Sequence, residues 1–409
     1  MLQACNSFRK SEISFIGPSD PLNDEPAVNP LPDHPTLIPN HMNKFAFILS
    51  ALIPFSAISA SADQKTQEQE ALSTMKKVAD WQLANPSKHR PTDWTQGAFY
   101  TGVMALYDVS KDQKYLDAMV QMGENNQWKP GPRAYHADDF AVCQAYCEMF
   151  MILKDPKMIE PTKQAFDFQI ANPKIQGLEF GMPDKKTWTD RWSWCDALFM
   201  APPALVRLYA ITGDMKYLTF MDKEYWDTVA YLYDKDEGFF FRDSSFFNKK
   251  TPSGSKTFWG RGNGWVYAGL VRVLEYLPKD HPTRPKYVQL YKEMTAAVVR
   301  AQQPDSLWHP SLLDAAQVDI GETSGSAFFC YGLAWGVNNG LLEKAKYWPI
   351  VERSWKALMG KVKPDGMLGA VQKIGAAPDA TTEDSTEVYG PGAFLLAGSE
   401  VVKHLEAAK

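Results

Sequence analysis

The feature that most constrains the fold is a repeat. Five times along the chain an apolar helix rich in small residues ends in a short polar turn, and a Lys-Tyr-like pair then opens a second helix. The segments are LYDVSKDQKYLDAM (106–119), MILKDPKMIEPT (151–162), LYAITGDMKYLTFM (208–221), LEYLPKDHPTRPKYVQLY (274–291) and GLLEKAKYWPIVERSW (340–355). The lysines are Lys114, Lys157, Lys216, Lys286 and Lys346, separated by 43, 59, 70 and 60 residues. A period of this size holding two helices marks a helical-hairpin repeat. Helical patterns at 68–83 and 391–407 supply the ends of a sixth unit. An open solenoid and a closed ring both satisfy such a repeat. A solenoid would show a long amphipathic outer face in every unit, so the closed ring is favoured: an all-α (α/α)6 barrel. Segments 261–274 (RGNGWVYAGLVRVL) and 323–336 (TSGSAFFCYGLAWG) read as inner helices, rich in Gly and Ala with few charges.

The first sixty residues do not join this pattern. Met42 to Ala62 (MNKFAFILSALIPFSAISASA) has a short basic start at Lys44, an apolar stretch and an A-x-A cleavage site at Ala60–Ala62. The apolar stretch is shorter than the roughly 20 residues a membrane span needs. We read 1–41 as an upstream extension outside the native protein, 42–62 as a signal peptide and 63–409 as a single catalytic domain, periplasmic or secreted. Cleavage near Ala62 leaves 40 basic against 43 acidic side chains. With no long Lys/Arg run, the chain lacks an electrostatic footprint for nucleic acid. We expect a monomer or a weak homo-oligomer. Cys143, Cys147, Cys195 and Cys330 each lie in an apolar, helix-like segment. They read as buried free thiols, although export permits disulfides. No C-x-x-C or H-x-x-x-H spacing suggests zinc.

Polar and aromatic clusters precede the inner helices: DWTQGAFYTG (93–102), YHADDFAVCQAY (135–146), WSWCDALFMAPP (192–203), FWGRGNGW (258–265), LWHPSL (307–312) and GETSGSAFF (321–329). Each occupies the same point of its repeat, so a ring would gather them at one mouth. Thirteen Trp, 17 Tyr and 22 Phe fit either a large core or a cleft that stacks sugars, and these clusters place part of that load at the mouth. Candidates for contacting a sugar are Trp94, Tyr100, Trp194, Trp265, His136 and His309. Asp196, amid apolar bulk, would be desolvated and suited to general acid work, or would serve as a helix N-cap. Asp138 and Asp139 sit similarly at a helix start, one free to cap while the other enters the cleft. A carboxylate pair on neighbouring inner helices is an acid/base arrangement. Arg261, in a Gly-rich turn, could hold a ligand carboxylate or pair with an aspartate. GRGNG lacks the strand and the G-K-[ST] of a phosphate loop, and T-S-G-S lacks the context of a nucleophile elbow. Glu322 reads as a helix-start residue or a supporting partner.

W-x-W-C-D-A-L-F-M-A-P-P, F-W-G-R-G-N-G-W-V and E-T-S-G-S-A together resemble the unsaturated glucuronyl/rhamnogalacturonyl hydrolases, glycoside hydrolase family 105, with the related family 88 a more distant likeness. The similarity spans roughly 65–405. It implies an (α/α)6 barrel acting on oligosaccharides left by polysaccharide lyases, whose terminal uronic acid has a C4=C5 double bond. An aspartic acid protonates C4, water adds at C5, and the hemiketal opens to release the sugar. By motif match Asp196 is implied as the acid/base and Asp139 as the second carboxylate, with Asp138 the fallback because the doublet leaves the alignment ambiguous. Arg261 and Trp265 are implied substrate contacts. Several members have a His where FFFRDSS places Arg242, and a cation there would suit a more anionic, sulfated sugar in the next subsite. No metal or organic cofactor is implied. Competing readings are a polysaccharide lyase or epimerase of the same fold, and an exported glycan-binding protein.

Overall fold

The computed structural model describes residues 55–407, with side chains from Gln64; the upstream extension and most of the segment read as a signal peptide lie outside the described residues. In chain order the helices are α1 (Phe55–Ala84), α2 (Trp94–Ser110), α3 (Gln113–Asn125), α4 (Cys143–Leu153), α5 (Glu160–Ala171), α6 (Ala197–Met200), α7 (Pro202–Thr212) and α8 (Met215–Leu232). A two-residue antiparallel ribbon follows, β1 (Tyr233–Asp234) and β2 (Phe239–Phe240), pairing Tyr233 with Phe240 and Asp234 with Phe239. Then come α9 (Gly260–Leu274), α10 (Arg284–Ala301), α11 (Thr323–Asn338), α12 (Lys344–Met359) and α13 (Tyr389–Ala407).

These helices alternate between two layers. Inside, α2, α4, the α6–α7 pair, α9, α11 and α13 each pack on the next, and α13 packs back on α2, closing the ring. Outside lie α1, α3, α5, α8, α10 and α12, with α1 closing the outer layer against α13. The sixth unit is therefore assembled from the two ends of the repeat, as the sequence pattern implies. The two layers differ because their sequences differ. Every residue of α9 is buried, Arg261 and Arg272 included, and so is α11 from Thr323 to Val337, as expected of helices that are small or apolar on most faces. Outer α3 instead buries one stripe: Tyr115, Leu116, Met119, Met122 and Gly123. Inner helices touch backbone to backbone where residues are small. A Cβ on Gly102 of α2 would lie 2.4 Å from the Gly392 carbonyl of α13, and one on Gly269 of α9 would lie 2.3 Å from the Leu198 carbonyl.

Three of the Lys-Tyr pairs turn out to be clasps between successive outer helices. The hydroxyl of Tyr115 donates to Asp80 of α1 (3.1 Å), that of Tyr217 to Asp167 of α5 (2.9 Å) and that of Tyr287 to Asp222 of α8 (2.8 Å). Lys114 and Lys216 reach the same carboxylates as their tyrosines, at 2.9 and 3.0 Å. Because each outer helix carries the chain back, the inner helices run parallel and their N-termini gather at one mouth. That end of each helix carries about half a positive charge. The four cysteines of the described residues are buried free thiols.

Candidate active site

Asp196 stands at the N-cap position of α6, yet its side chain makes no capping bond. The carboxylate is thus not spent on the helix end. Only 8% of the residue is exposed. The Cys195 thiol lies 3.4 Å from Oδ2, and the Arg242 Nε lies 3.7 Å from the same oxygen. Burial raises the Asp196 pKa above the usual carboxylate range, and the Arg242 charge opposes that rise. Arg242 arrives through the β1–β2 ribbon: the segment after β2 runs alongside the Asp196 turn, where the Cys195 N–H donates to the Arg242 carbonyl (2.8 Å). The guanidinium is held by buried Asp243, which accepts Nη1 at 2.7 Å and caps the next turn through the Ser245 N–H.

A carboxylate that feels the charge of Asp196 directly is Asp138. A short 3₁₀ turn, Ala137–Phe140, carries the aspartate doublet, and at about three residues per turn adjacent side chains point apart. Asp138 is pushed up to about 8 by burial and then by the negative charge of Asp196. Its Oδ2 is 3.6 Å from Nδ1 of His136. Asp139, the expected cleft residue, faces the other way. Its carboxylate takes the Arg133 guanidinium at 2.7 and 3.1 Å and the Arg133 backbone N–H, locking the 131–133 loop. His136 is held neutral, its pKa lowered to about 3 by burial and by the Arg133 and Arg242 charges. The Trp194 ring lies 4.8 Å from the imidazole.

Trp94 opens α2 and stacks on Tyr389, which opens α13, at 5.3 Å and 22°. Trp265 meets Trp94 edge-on at 5.9 Å and is wholly buried against Phe199 and Phe328, so it supports the aromatic wall and offers no open face. Arg261 is also wholly buried. Its guanidinium lies over Trp259 and Tyr389 and donates to the carbonyls of Gln372 (2.8 Å) and Lys373 (3.0 Å). The structure thus commits much of Arg261 to fastening the 372–373 loop. Tyr100 sits deeper in α2, within the apolar core. His309 lies among local partners, with Nδ1 3.2 Å from the Ala315 carbonyl and Nε2 3.2 Å from Asp305. Glu322 caps α11 through Ser324 and Gly325 and accepts the Gln372 N–H.

Three buried donors in this region have no hydrogen-bond acceptor: Nε of Arg242, Nε of Arg261 and Nε1 of Trp265. Such groups are costly unless something supplies oxygen atoms. Among the described residues, no group of three His, Cys, Asp or Glu side chains is arranged to hold a metal ion. Tyr389 and Asp243 are absent from the sequence expectations, and Cys195 enters them only as a buried thiol. Tyr389 had a legible signal, since it opens the sixth inner helix as Trp94 opens the first.

The model of Glycosyl Hydrolase Family 88 matches residues 59–405. The chain belongs to this family. An unsaturated 3S-rhamnoglycuronyl hydrolase of Formosa agariphila is 42% identical over 354 residues, covering 84% of this chain and 93% of the relative. A protein of the same name from an Alteromonas species is 36% identical, covering 84% and 89%. Among solved structures, a family 88 glycosyl hydrolase from Bacteroides vulgatus matches with a TM-score of 0.74 and 29% identity, covering 82% of this chain and 99% of its own. One named as a polysaccharide lyase matches at 0.76 and 32% identity, covering 83% and 99%. This family 88 chain is a glycoside hydrolase with the helical barrel of its relatives.

Proposed function

We propose that this hydrolase removes the C4=C5-unsaturated uronic acid from the non-reducing end of lyase-generated oligosaccharides, with rhamnose as the next sugar. The observation that carries the mechanism is the buried Asp196–Asp138 pair with Arg242 beside it. Burial and the nearby charge of Asp196 let Asp138 keep a proton to about pH 8, burial raises Asp196 as well, and protonating a carbon atom needs such a proton-holding pair. Asp196 donates to C4 of the vinyl ether, and the C4=C5 electron pair forms the new C–H bond. Positive charge develops at C5 and the ring oxygen. Water adds at C5 and returns its proton to Asp196, and the hemiketal opens to release the sugar as a keto product. The ring of helix N-termini and the Arg242 guanidinium suit the substrate carboxylate. The rhamnose-linked substrate rests on the names of the two relatives. Membership of family 105 within this group rests on the three motifs, and export rests on the Met42–Ala62 pattern.

The test is ultraviolet absorbance of the conjugated double bond with lyase-generated disaccharides. Wild type consumes the signal and Asp196→Asn does not. A flat trace for wild type on pectin- and ulvan-derived substrates overturns the reading. The lyase reading, favoured by one structural relative, predicts the opposite sign, a rise in absorbance on intact polymer. It also needs a base to take the C5 proton, and His136 with a pKa near 3 is a poor one. Arg242 next to Asp196 fits a role at the reacting sugar better than one at a sulfate in the next subsite. Arg242→Ala is therefore expected to lose activity equally on sulfated and unsulfated disaccharides.

A further inference from the structure

The segment between α5 and α6 exposes large apolar side chains, among them Ile175 (91%), Met182 (52%) and Phe180 (42%). An isolated apolar residue on a surface means little, but Phe180 is not isolated. Its ring lies 4.6 Å from that of Trp188, Trp188 lies 6.1 Å from Trp194, and Trp194 lies 4.8 Å from His136. A continuous run of rings therefore leads outward from the Asp138–Asp196 pair and ends on an open aromatic face. A second tie fixes the same end. The Phe180 N–H donates to the Ser244 hydroxyl at 2.7 Å, two residues beyond Arg242. Phe180 is thus anchored to both walls that flank Asp196: the Trp194 wall through Trp188, and the Arg242 wall through Ser244.

We propose that Phe180 and Trp188 form a stacking platform for the sugar on the leaving side of the bond that is cut. The inference rests on the hydrolase reading and assigns that site its outward neighbour. The two rings are tilted by 56° and make a corner, not a flat stack. A pyranose presents a face of C–H groups whose slight positive charge suits the negative face of an aromatic ring. A 6-deoxy sugar adds a methyl group, which the corner would cover. The uronate is held at the other end of the ring ladder, where the arginine and the carboxylates are, so the platform falls to the sugar behind it.

The test compares two substrates of the full-length enzyme by loss of absorbance: an unsaturated disaccharide and the methyl glycoside of the same unsaturated uronate. Phe180→Ala is expected to raise KM for the disaccharide and to lower the disaccharide-to-methyl-glycoside ratio of kcat/KM about tenfold, the scale of one lost stacking contact. Phe180→Trp is expected to restore the ratio. The residue is substantially exposed, and a melting curve matching wild type shows that the variant is folded. A ratio that stays at its wild-type value in Phe180→Ala overturns the platform. So does an unchanged ratio with an altered sedimentation coefficient, which would show a second copy covering the loop. A wild type silent on both substrates overturns the hydrolase reading and the platform with it, an outcome distinct from the other two.

Discussion

Two adjacent aspartates have opposite employment, and their substitutions should move stability in opposite directions. Unfolded, Asp138 ionises near pH 4, whereas in the folded pocket it holds its proton to about pH 8. Folding therefore takes up a proton in that window, and the Asp138 contribution to stability falls as pH rises from 4 to 8. Asp138→Asn is expected to raise Tm, by about 5 °C at pH 8 and by almost nothing at pH 4. It is also expected to shift the alkaline limb of the pH–rate profile to lower pH, because Asp196 then titrates without a partner. An identical limb in the variant would show that the pair does not share its proton. Asp139→Asn removes the anchor of the 131–133 loop and is expected to cost about 2 kcal/mol, read by denaturant unfolding. The sequence could not separate the two, since a doublet on a tight turn gives no sign of which side faces the cleft. Arg261 misled in a similar way. A guanidinium in a Gly-rich turn beside tryptophans suits a ligand carboxylate, but here backbone carbonyls more than a hundred residues downstream take its N–H groups. No local pattern encodes those partners.

At the scale of the helices the sequence was far more legible. Small residues and absent charges marked the inner helices, and the Lys-Tyr pairs marked where outer ones begin, because both patterns are imposed on every unit by its neighbours. What the repeat did not reveal was its purpose, since the aspartates that answer the tyrosines lie on the preceding outer helix with no fixed spacing. The two kinds of contact should differ in cost. Tyr287→Phe removes one clasp hydrogen bond at the barrel's edge and is expected to lose about 1 kcal/mol. Gly102→Ala drives a methyl group to 2.4 Å from the Gly392 carbonyl, which only a shift of α2 against α13 can relieve. About 3 kcal/mol or more is expected, in the range of overpacked cores. Equal losses in thermal and chemical unfolding would mean that ring closure does not depend on the backbone contact.

Across the whole molecule, parallel inner helices give the barrel two unlike mouths. N-termini ring the carboxylate pair, and C-termini crowd their partial negative charge around the opposite opening. There a cavity of about 790 Å3 is lined by Glu148, Arg207, Arg272, Glu275, Tyr331 and Lys403, among others. Its buried charges are tightly matched. Arg207 reaches Glu148 at 2.8 Å, Glu275 at 3.1 Å and the carbonyls of Pro203 and Arg272, while Arg272 reaches Glu148 at 2.6 Å and Gln144 at 2.6 Å. Arg207 answers a helix end and the acids of two neighbouring units, and Arg272 answers Gln144 and Glu148 of α4, so the network ties α4, α7 and α9 together at the mouth where no chemistry is assigned. Glu148 is the shared acceptor, and Glu148→Gln leaves two buried arginines short of a charge. A loss of about 3 kcal/mol is expected, as for a broken buried ion pair. Because this network lies across the barrel from Asp196, kcat and KM measured well below the lowered Tm should equal those of wild type. A fall in kcat under those conditions would mean that the packing of α4 and α9 at one mouth sets the carboxylate geometry at the other.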